Sequence, residues 1–179
     1  MPDIKILFLH GMEGTPEGTK PTFLQSHGYR VVAPALPKGD WNLSVRRAEN
    51  CFINFRPNII VGSSRGGAVA AAFPVGKIPK ILIAPACNKF GVTTPFIDET
   101  TTILHSTHDE LIDFSNSVNL VENYGCELID CGAGHRMSDP DALQSLLRIV
   151  KNLKTVSYTH LRAHETREDR VWRLVREKK

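Results

Sequence analysis

Residues 59–72, "IIVGSSRGGAVAAA", decide how the rest of the chain is interpreted. The β-branched run at 59–61 is typical of a buried strand, and the alanine-rich run at 68–72 favours a helix. The glycines and serines between them therefore lie on a tight strand-to-helix turn, which can either cradle a phosphate or present a reactive serine. The turn lacks the Gly-x-Gly-x-x-Gly of dinucleotide-binding folds and the Gly-Lys-Ser/Thr of P-loops, so the pattern favours the serine.

Short apolar strands alternate with amphipathic helices on both sides of this turn. Strands are predicted at 4–9, 30–35, 59–62, 80–84, 103–106 and 127–130, and helices at 21–27, 43–56, 65–73, 114–124 and from 140 onward. Strands that are connected by helices form parallel sheets covered on both faces. The sequence therefore predicts an α/β fold with a mostly parallel sheet of about six strands. Its unusual loops all follow strand ends, where the active sites of such sheets collect.

Length and composition predict one globular domain over residues 1–154. The chain has 179 residues, of which 41% are hydrophobic and 23% are charged. Its net charge of +3 belongs to residues 155–179, which hold seven of the 22 Lys and Arg and four of the 19 Asp and Glu, leaving 15 of each before them. No apolar run has the roughly 18 residues that span a bilayer, and no signal segment is recognisable. We therefore expect a cytoplasmic protein without nucleic-acid or membrane partners.

Residues 155–179 are predicted to be a non-native tail, either disordered or an isolated helix. Val156 to Thr166 can be back-translated into a DNA sequence that looks like an adapter of transposase-based sequencing libraries. A reading frame that runs from a DNA fragment into an adapter produces such a tail, which has no bearing on the fold. The alternative is a genuine basic helix, in which Val171, Leu174 and Val175 form one apolar stripe.

The opening turn contains Gly-x-Ser-x-Gly as Gly62, Ser63, Ser64, Arg65 and Gly66, the motif of the nucleophile elbow in α/β-hydrolases. Glycines two positions before and after the serine let the strand and the helix approach each other without a clashing Cβ atom. Ser64 would present its hydroxyl above the sheet, where the start of the next helix favours developing negative charge. Ser64 is therefore the candidate nucleophile.

A serine hydroxyl needs a general base and a carboxylate that orients this base. Asp109 follows a predicted strand in "TILHSTHDELI", and His135 follows the last strand in "CGAGHRM". The chain order Ser64, Asp109, His135 is the one found in this fold. The backbone N–H groups of Met12, after the first strand, and of Arg65, in the elbow, can form an oxyanion hole.

At these segments the sequence resembles small α/β-hydrolases without a large lid, similar to YqiA-type esterases and dienelactone-hydrolase-like proteins. The resemblance covers about residues 4–153 and rests on "LHGMEGTPEG", "VGSSRGGAVA", "LIAPA", "ILHSTHDELI" and "GHRMSDPDAL". It implies a three-layer α/β-hydrolase fold. It also implies Ser64 as nucleophile, His135 as general base and acid, Asp109 as the orienting carboxylate, and Met12 and Arg65 as backbone oxyanion donors.

One segment departs from the pattern of this family. The common His-Gly-x-x-Asp before the acid reads "HSTHD" here, with Ser106 in place of glycine. This departure leaves Asp113 and Glu110 as nearby alternatives to Asp109 for the acid.

Several other polar residues lie beside the candidate site. His10 and His105 end predicted strands and are interpreted as structural hydrogen-bonding groups. Arg65 and Arg136 each follow a candidate residue, and they either bind an acidic acyl group or pair with a carboxylate such as that of Glu13. Pairing, which would hold the loops together, is the favoured interpretation.

These features predict a serine hydrolase that cleaves a small carboxylic ester or thioester through an acyl-enzyme, without a cofactor. No histidine or cysteine cluster has the spacing of a zinc site, so no metal is expected. Residues 86–100, between two predicted strands, leave no room for a helical lid, and small soluble substrates are therefore expected. The alternative is a hydrolase-like binding or scaffold protein with little turnover, because fold does not imply function. Acyl transfer to an acceptor other than water is a third possibility.

Overall fold

The computed structural model describes residues 4–153, whose strands form one parallel sheet. The strands are β1 (Lys5–Leu9), β2 (Arg30–Val32), β3 (Ile59–Ser63), β4 (Lys80–Ile83), β5 (Thr101–His105) and β6 (Glu127–Asp130). The helices are α1 (Thr19–Ser26), α2 (Trp41–Phe55), α3 (Arg65–Ala71), α4 (Ser115–Tyr124) and α5 over residues 140–153, with a 3-10 turn at Asn88–Phe90. The predicted α/β fold with about six strands and surrounding helices is confirmed. The tail predicted at 155–179 lies outside the described residues.

The strands lie in the order β2-β1-β3-β4-β5-β6, and every neighbouring pair is parallel. Leu9 is level with Gly62, and His105 is level with Asp130. Because the carboxyl ends of parallel strands meet at the same edge of a sheet, the loops that follow β1, β3, β5 and β6 converge there. This edge carries all the segments that the sequence singles out.

The inner and the edge strands of the sheet differ in how deeply their residues are buried. The four inner strands are buried along their whole length, apart from Lys5 at the start of β1. The edge strands β2 and β6 expose charged residues, Arg30 in one and Glu127 and Asp130 in the other. An apolar run such as 59–61 has no polar face and needs cover on both sides, whereas an edge strand tolerates charge.

Two predicted strands differ from the observed ones by more than one residue at an end. β2 ends at Val32 rather than at residue 35, because Pro34 has no backbone N–H with which to continue the ladder. β5 begins earlier than predicted, at Thr101, which is 1% exposed and pairs with Lys80. A buried β-branched residue of this kind favours a strand.

Capping residues set the ends of α2, which contacts α3. The Asp40 carboxylate accepts a hydrogen bond from the Leu43 N–H at 2.8 Å and begins the helix. Arg56 ends it in a left-handed conformation with φ 51°, and Pro57 follows. The inner face of α2 includes Ala48, which is fully buried.

The contacts of the chain divide it into two units at Leu147. The first unit contains the whole sheet and α1 to α4. In the second, residues 148–153 are described and continue α5. Within residues 4–153, no helix combines the length and the apolar character needed to cross a membrane.

Candidate active site

Ser64 is the single residue that connects β3, which ends at Ser63, to α3, which begins at Arg65. Its backbone has φ 53° and ψ −115°, and such a sparsely populated conformation costs about 1–3 kcal/mol. Backbone hydrogen bonds hold it in place: the Ser64 N–H donates to the Ile83 carbonyl at 2.8 Å, and the Ser64 carbonyl accepts from the Gly67 N–H at 2.9 Å. The turn therefore fixes Ser64 at the edge where the inner strands end.

Two glycines allow this turn to form. A Cβ atom on Gly62 would press into the backbone of Gly66, and one on Gly66 would collide with the Leu9 carbonyl of β1. A larger residue at either position would force β3, α3 or β1 apart. The close approach that the Gly-x-Ser-x-Gly spacing predicts is present in the structure.

His135 joins Ser64 to Asp109. Its Nε2 lies 3.0 Å from Ser64 Oγ, and its Nδ1 lies 2.8 Å from Asp109 Oδ2. The loops after β3, β5 and β6 thus bring together side chains that are 71 and 26 positions apart in the chain. When the imidazole is neutral, Nδ1–H donates to the carboxylate, and Nε2 accepts the hydrogen bond of the serine hydroxyl. This arrangement is the one that a general base for a serine requires.

The Asp109 side chain is 0% exposed and accepts four hydrogen bonds. Oδ1 accepts from the backbone N–H groups of Leu111 and Ile112, each at 2.8 Å. Oδ2 accepts from His135 Nδ1 at 2.8 Å and from His105 Nε2 at 3.0 Å. Burial raises the pKa of Asp109, but the hydrogen bonds from Ile112, His135 and Leu111 outweigh burial and leave this pKa below its usual value. Asp109 is therefore an anion at neutral pH.

His105, the last residue of β5, is a second histidine on the same carboxylate. It is fully buried, and its Nε2 lies 3.0 Å from Asp109 Oδ2 and 3.2 Å from the Ile112 carbonyl. Both partners are acceptors, so Nε2 carries the proton and Nδ1 accepts from the Ser117 hydroxyl at 2.7 Å. The structural role predicted for His105 is confirmed. Its contact with Asp109 was not predicted from the sequence. The one signal for this contact is that Asp109 follows His105, the last residue of a strand, by four positions.

Ser106 and Glu110 tie the loop after β5 to the loop that carries His135. Ser106 Oγ donates to the Gly132 carbonyl at 2.8 Å, a contact that a glycine at position 106 could not make. Glu110 Oε2 accepts from the backbone N–H of His135 at 3.3 Å. Ser106 therefore adds a link between the two loops.

The alternative acids do not contact the His135 imidazole. Glu110 reaches the backbone of His135 only, and Asp113 instead accepts from the Ser115 N–H at 2.8 Å. Of the three carboxylates that the sequence offers, Asp109 is the one beside the imidazole.

Met12 and Arg65, the candidate oxyanion donors, line the same cleft as Ser64. Neither backbone N–H donates to another group within residues 4–153. His10 holds the loop before Met12, since its Nδ1–H donates to the Gly11 carbonyl at 2.8 Å and its Nε2 accepts from a backbone N–H at 3.0 Å. The structural interpretation of His10 is confirmed.

The predicted pairing of Arg65 and Arg136 with a nearby carboxylate is wrong. Glu13 is exposed and instead contacts Lys38 at 3.0 Å. Arg65 is 1% exposed, and its buried guanidinium donates from Nη2 to the Pro37 carbonyl at 2.8 Å. Among the described residues, neither arginine forms an ion pair.

A cleft of about 490 Å³ lies over Ser64 and His135. Its walls come from the loops after β1, β3, β5 and β6, from the start of α1 and from the 3-10 turn, with Phe90 and Leu111 supplying apolar surface. A volume of this size suits a small molecule. Within residues 4–153, no group of His, Cys, Asp and Glu side chains is arranged to hold a metal ion.

Solved structures that are similar to this chain include hydrolases and esterases. A Xanthomonas campestris protein described as belonging to the alpha/beta hydrolase superfamily matches with a TM-score of 0.68 and 21% identity over 87% of this chain and 99% of that one. Est1E from Butyrivibrio proteoclasticus matches with a TM-score of 0.65 and 16% identity, covering 88% and 89% of the two chains. The esterase domain of a Rhodothermus marinus protein gives 0.60 and 18%, with 82% and 84% covered. The chain therefore has the α/β-hydrolase fold, although no family model and no curated protein matches its sequence.

Proposed function

We propose that this protein is a serine hydrolase that cleaves a small carboxylic ester or thioester through an acyl-enzyme intermediate. The observation that carries the proposal is the continuous contact from Ser64 Oγ to His135 Nε2 at 3.0 Å and from His135 Nδ1 to Asp109 Oδ2 at 2.8 Å. Both are hydrogen-bond distances, and a carboxylate can only accept, so the serine proton points to the imidazole. Ser64 is then the nucleophile, His135 the general base and acid, and Asp109 the group that orients His135.

In the acylation step, the Ser64 oxygen bonds to the carbonyl carbon of the substrate while its proton moves to His135 Nε2. The carbonyl oxygen becomes an oxyanion, to which the uncommitted N–H groups of Met12 and Arg65 donate. The bond to the alkoxide or thiolate leaving group then breaks, and His135 returns the proton to this group.

In the deacylation step, a water molecule attacks the acyl group on Ser64, and His135 takes a proton from the water. The bond between the acyl group and Ser64 breaks, a carboxylic acid leaves, and His135 returns its proton to the serine oxygen. The imidazolium that forms in each half of the reaction is stabilised by the Asp109 anion, which is buried and therefore little screened by solvent.

The backbone of Ser64 supports turnover over a binding or scaffold role. Strained conformations persist where the surrounding structure imposes them, and they cluster at active sites. A protein that used the fold only for binding would gain stability by relaxing the φ of 53° at Ser64. The retained strain therefore favours a hydrolase.

The proposal includes the class of substrate and the group of α/β-hydrolases to which the protein belongs. Residues 86–100 contain a short 3-10 turn at Asn88–Phe90 in place of a helical lid, which favours small soluble esters over long lipids. The motifs support membership of the small α/β-hydrolases without a large lid, of the YqiA or dienelactone-hydrolase-like type. The esterases among the structural neighbours agree with an ester substrate. A cytoplasmic location completes the proposal.

Hydrolysis of p-nitrophenyl esters of graded chain length tests this function. We expect the wild type to cleave short esters and Ser64→Ala to lower kcat by at least about 10³-fold. Ser115→Ala is the matched control, because Ser115 is an exposed serine at the start of α4 and outside the cleft. Equal turnover by Ser64→Ala and the wild type would refute the proposal.

A further inference from the structure

The cleft over Ser64 carries an excess of positive charge. Its cationic side chains are Lys20, Arg65, Lys89 and Arg136. Glu13 is the one acidic residue in its walls, and the carboxylate of Glu13 lies 3.0 Å from the ammonium of Lys38. The acidic side chain in the cleft wall therefore does not balance the positive charge of the four cationic side chains.

The neighbouring carboxylate of Asp139 offsets part of this positive charge. None of the four forms an ion pair within residues 4–153. Asp139 acts on Lys20 through its charge, but its carboxylate accepts from the backbone N–H groups of Ala133 at 3.1 Å and Ala142 at 3.2 Å. Lys, Arg, Asp and Glu balance over residues 1–154, so the excess is local to the cleft.

Lys20 is held against the loop that carries His135. Its ammonium donates to the Arg136 carbonyl at 2.6 Å and to Ser138 Oγ at 3.4 Å, which leaves one N–H for a ligand. Burial lowers the pKa of Lys20 to about 8, with Asp139 raising it in part, so the side chain is still mostly protonated at pH 7. A fixed ammonium group therefore faces the cleft.

Arg65 adds a buried charge in the wall of the cleft. Its Nη2 is committed to the Pro37 carbonyl and to Ser44 Oγ, each at 2.8 Å. Its Nε and Nη1 are buried and have no acceptor among the described residues. The guanidinium carbon lies 5.6 Å from the ring centre of Phe90, which itself lines the cleft. Buried donors without partners are rare in folded proteins and need an explanation.

We propose that the cleft binds substrates that carry an anionic group, a carboxylate or a phosphate, in addition to the ester bond. Lys89 and Arg136 at the exposed rim bind the anion, together with the remaining N–H of Lys20. Arg65 supplies positive potential from the wall, where its guanidinium has no carboxylate partner among the described residues and is stabilised by a bound negative charge. This inference rests on the proposed hydrolase function of Ser64.

Matched pairs of esters test the inference at low ionic strength. p-Nitrophenyl hexanoate and the mono-p-nitrophenyl ester of adipic acid have acyl chains of equal length, and only the second ends in a carboxylate. 4-Carbamoylphenyl and 4-carboxyphenyl hexanoate place the same difference on the leaving group, with rates normalised to hydroxide-catalysed hydrolysis. We expect kcat/KM to be about tenfold higher for the anionic ester of one pair, and this ratio to fall as salt is added.

Variants of Lys89 and Arg136, at the rim of the cleft, test whether the preference for anionic esters arises there. Lys89→Met and Arg136→Met each lower the ratio of the anionic to the neutral ester severalfold, and the double variant lowers it further and leaves the part that Lys20 and Arg65 contribute. Lys77→Met is the matched control, because Lys77 is an exposed lysine outside the cleft that pairs with Asp98 and Glu99, and it keeps the wild-type ratio.

A ratio at or below one for both pairs in the wild type overturns the inference, and so does a ratio that the double variant leaves unchanged. If Ser64 still cleaves the neutral esters in that case, the hydrolase function stands and the anion preference alone fails. If no ester is cleaved in a Ser64-dependent way, the proposed function fails and the inference fails with it.

Discussion

A cationic side chain is buried at each end of the sheet. At the amino ends its nitrogen atom has hydrogen-bond acceptors, whereas at the carboxyl ends two of its nitrogen atoms have none among the described residues. At the amino ends of the strands, Lys80 is 2% exposed, and its ammonium donates to the Phe73 carbonyl at 3.2 Å and to the Phe96 carbonyl. At the carboxyl ends, Arg65 is 1% exposed, and its Nε and Nη1 lack acceptors in the described part of the chain. The strained backbone of Ser64 immediately precedes it.

The surrounding charges differ in the same way. The cleft at the amino ends has about 350 Å³ and is lined by one cation, Lys80, and one anion, Asp98. The cleft at the carboxyl ends has four cations and one acid. Proteins keep strained and unsatisfied groups where function depends on them and satisfy polar groups elsewhere. This contrast supports the proposal that the carboxyl end of the sheet carries the chemistry, whereas the amino end contributes stability.

After the loss of the nucleophile in Ser64→Ala, the largest effect is expected at the carboxyl end, from Asp109→Asn. An amide cannot accept all four hydrogen bonds that Asp109 receives, and it favours the wrong tautomer of His135. We predict a fall in kcat of about 10⁴-fold for a p-nitrophenyl ester. Asp113→Asn, a change at an exposed carboxylate four residues later, is the control and should retain activity. Comparable losses in the two variants would contradict the assignment of the acid.

An intermediate effect is expected for His105→Leu, which removes one donor from the Asp109 carboxylate. A hydrogen bond to a charged group is worth about 1.5–3 kcal/mol, so we predict that kcat falls about tenfold or more while KM changes little. His105→Gln offers a side-chain N–H at a similar position and should recover part of the loss. A folded His105→Leu protein with wild-type kcat would show that His105 does not position Asp109.

The smallest effect on catalysis is expected at the amino end, where Lys80→Met should leave kcat within about twofold of the wild type and change only stability. Burial lowers the pKa of Lys80 to about 8, with Asp98 and Cys87 raising it in part, against an ordinary value of 10.5. Between these values the unfolded state binds more protons, so this lysine makes the free energy of unfolding rise with pH, by about 3 kcal/mol. Urea unfolding of both proteins from pH 7.5 to 10.5 measures this rise as a difference.

The difference between the two proteins is the quantity to follow, because other groups also titrate in this range. Burial raises the pKa of Cys87 to about 11, so its ionisation opposes the rise in both proteins. A free-energy difference between the wild type and Lys80→Met that stays flat over this range would contradict the account of the amino end.

The parallel topology is why the sequence could predict which residues meet at the carboxyl end. Ser64, Asp109 and His135 each follow an apolar strand, and parallel strands deliver such residues to one edge whatever their separation in the chain. The glycines around Ser64 gave a second, steric signal that strand and helix pass closely. Both signals depend on backbone geometry, which local sequence largely determines.

Side-chain contacts between distant elements were not predictable in the same way. Arg65 reaches the Pro37 carbonyl in front of α2 rather than the nearby Glu13, because burial carries its side chain away from the surface. His105 meets Asp109 through the tight turn after β5, where the Asp109 N–H donates to the Ser106 carbonyl at 3.0 Å. Such contacts follow from packing in three dimensions and leave no periodic pattern in the sequence.

Covalent labelling of Ser64 by a fluorophosphonate tests the central claim most directly. The folded protein is treated with the probe, digested and mapped by tandem mass spectrometry, with Ser64→Ala and a heat-denatured sample as controls. An activated serine reacts with such probes, whereas an ordinary hydroxyl does not. The account predicts one adduct, on Ser64 of the folded wild type, and none in either control. No adduct on the folded protein, or an adduct on another serine, would contradict it.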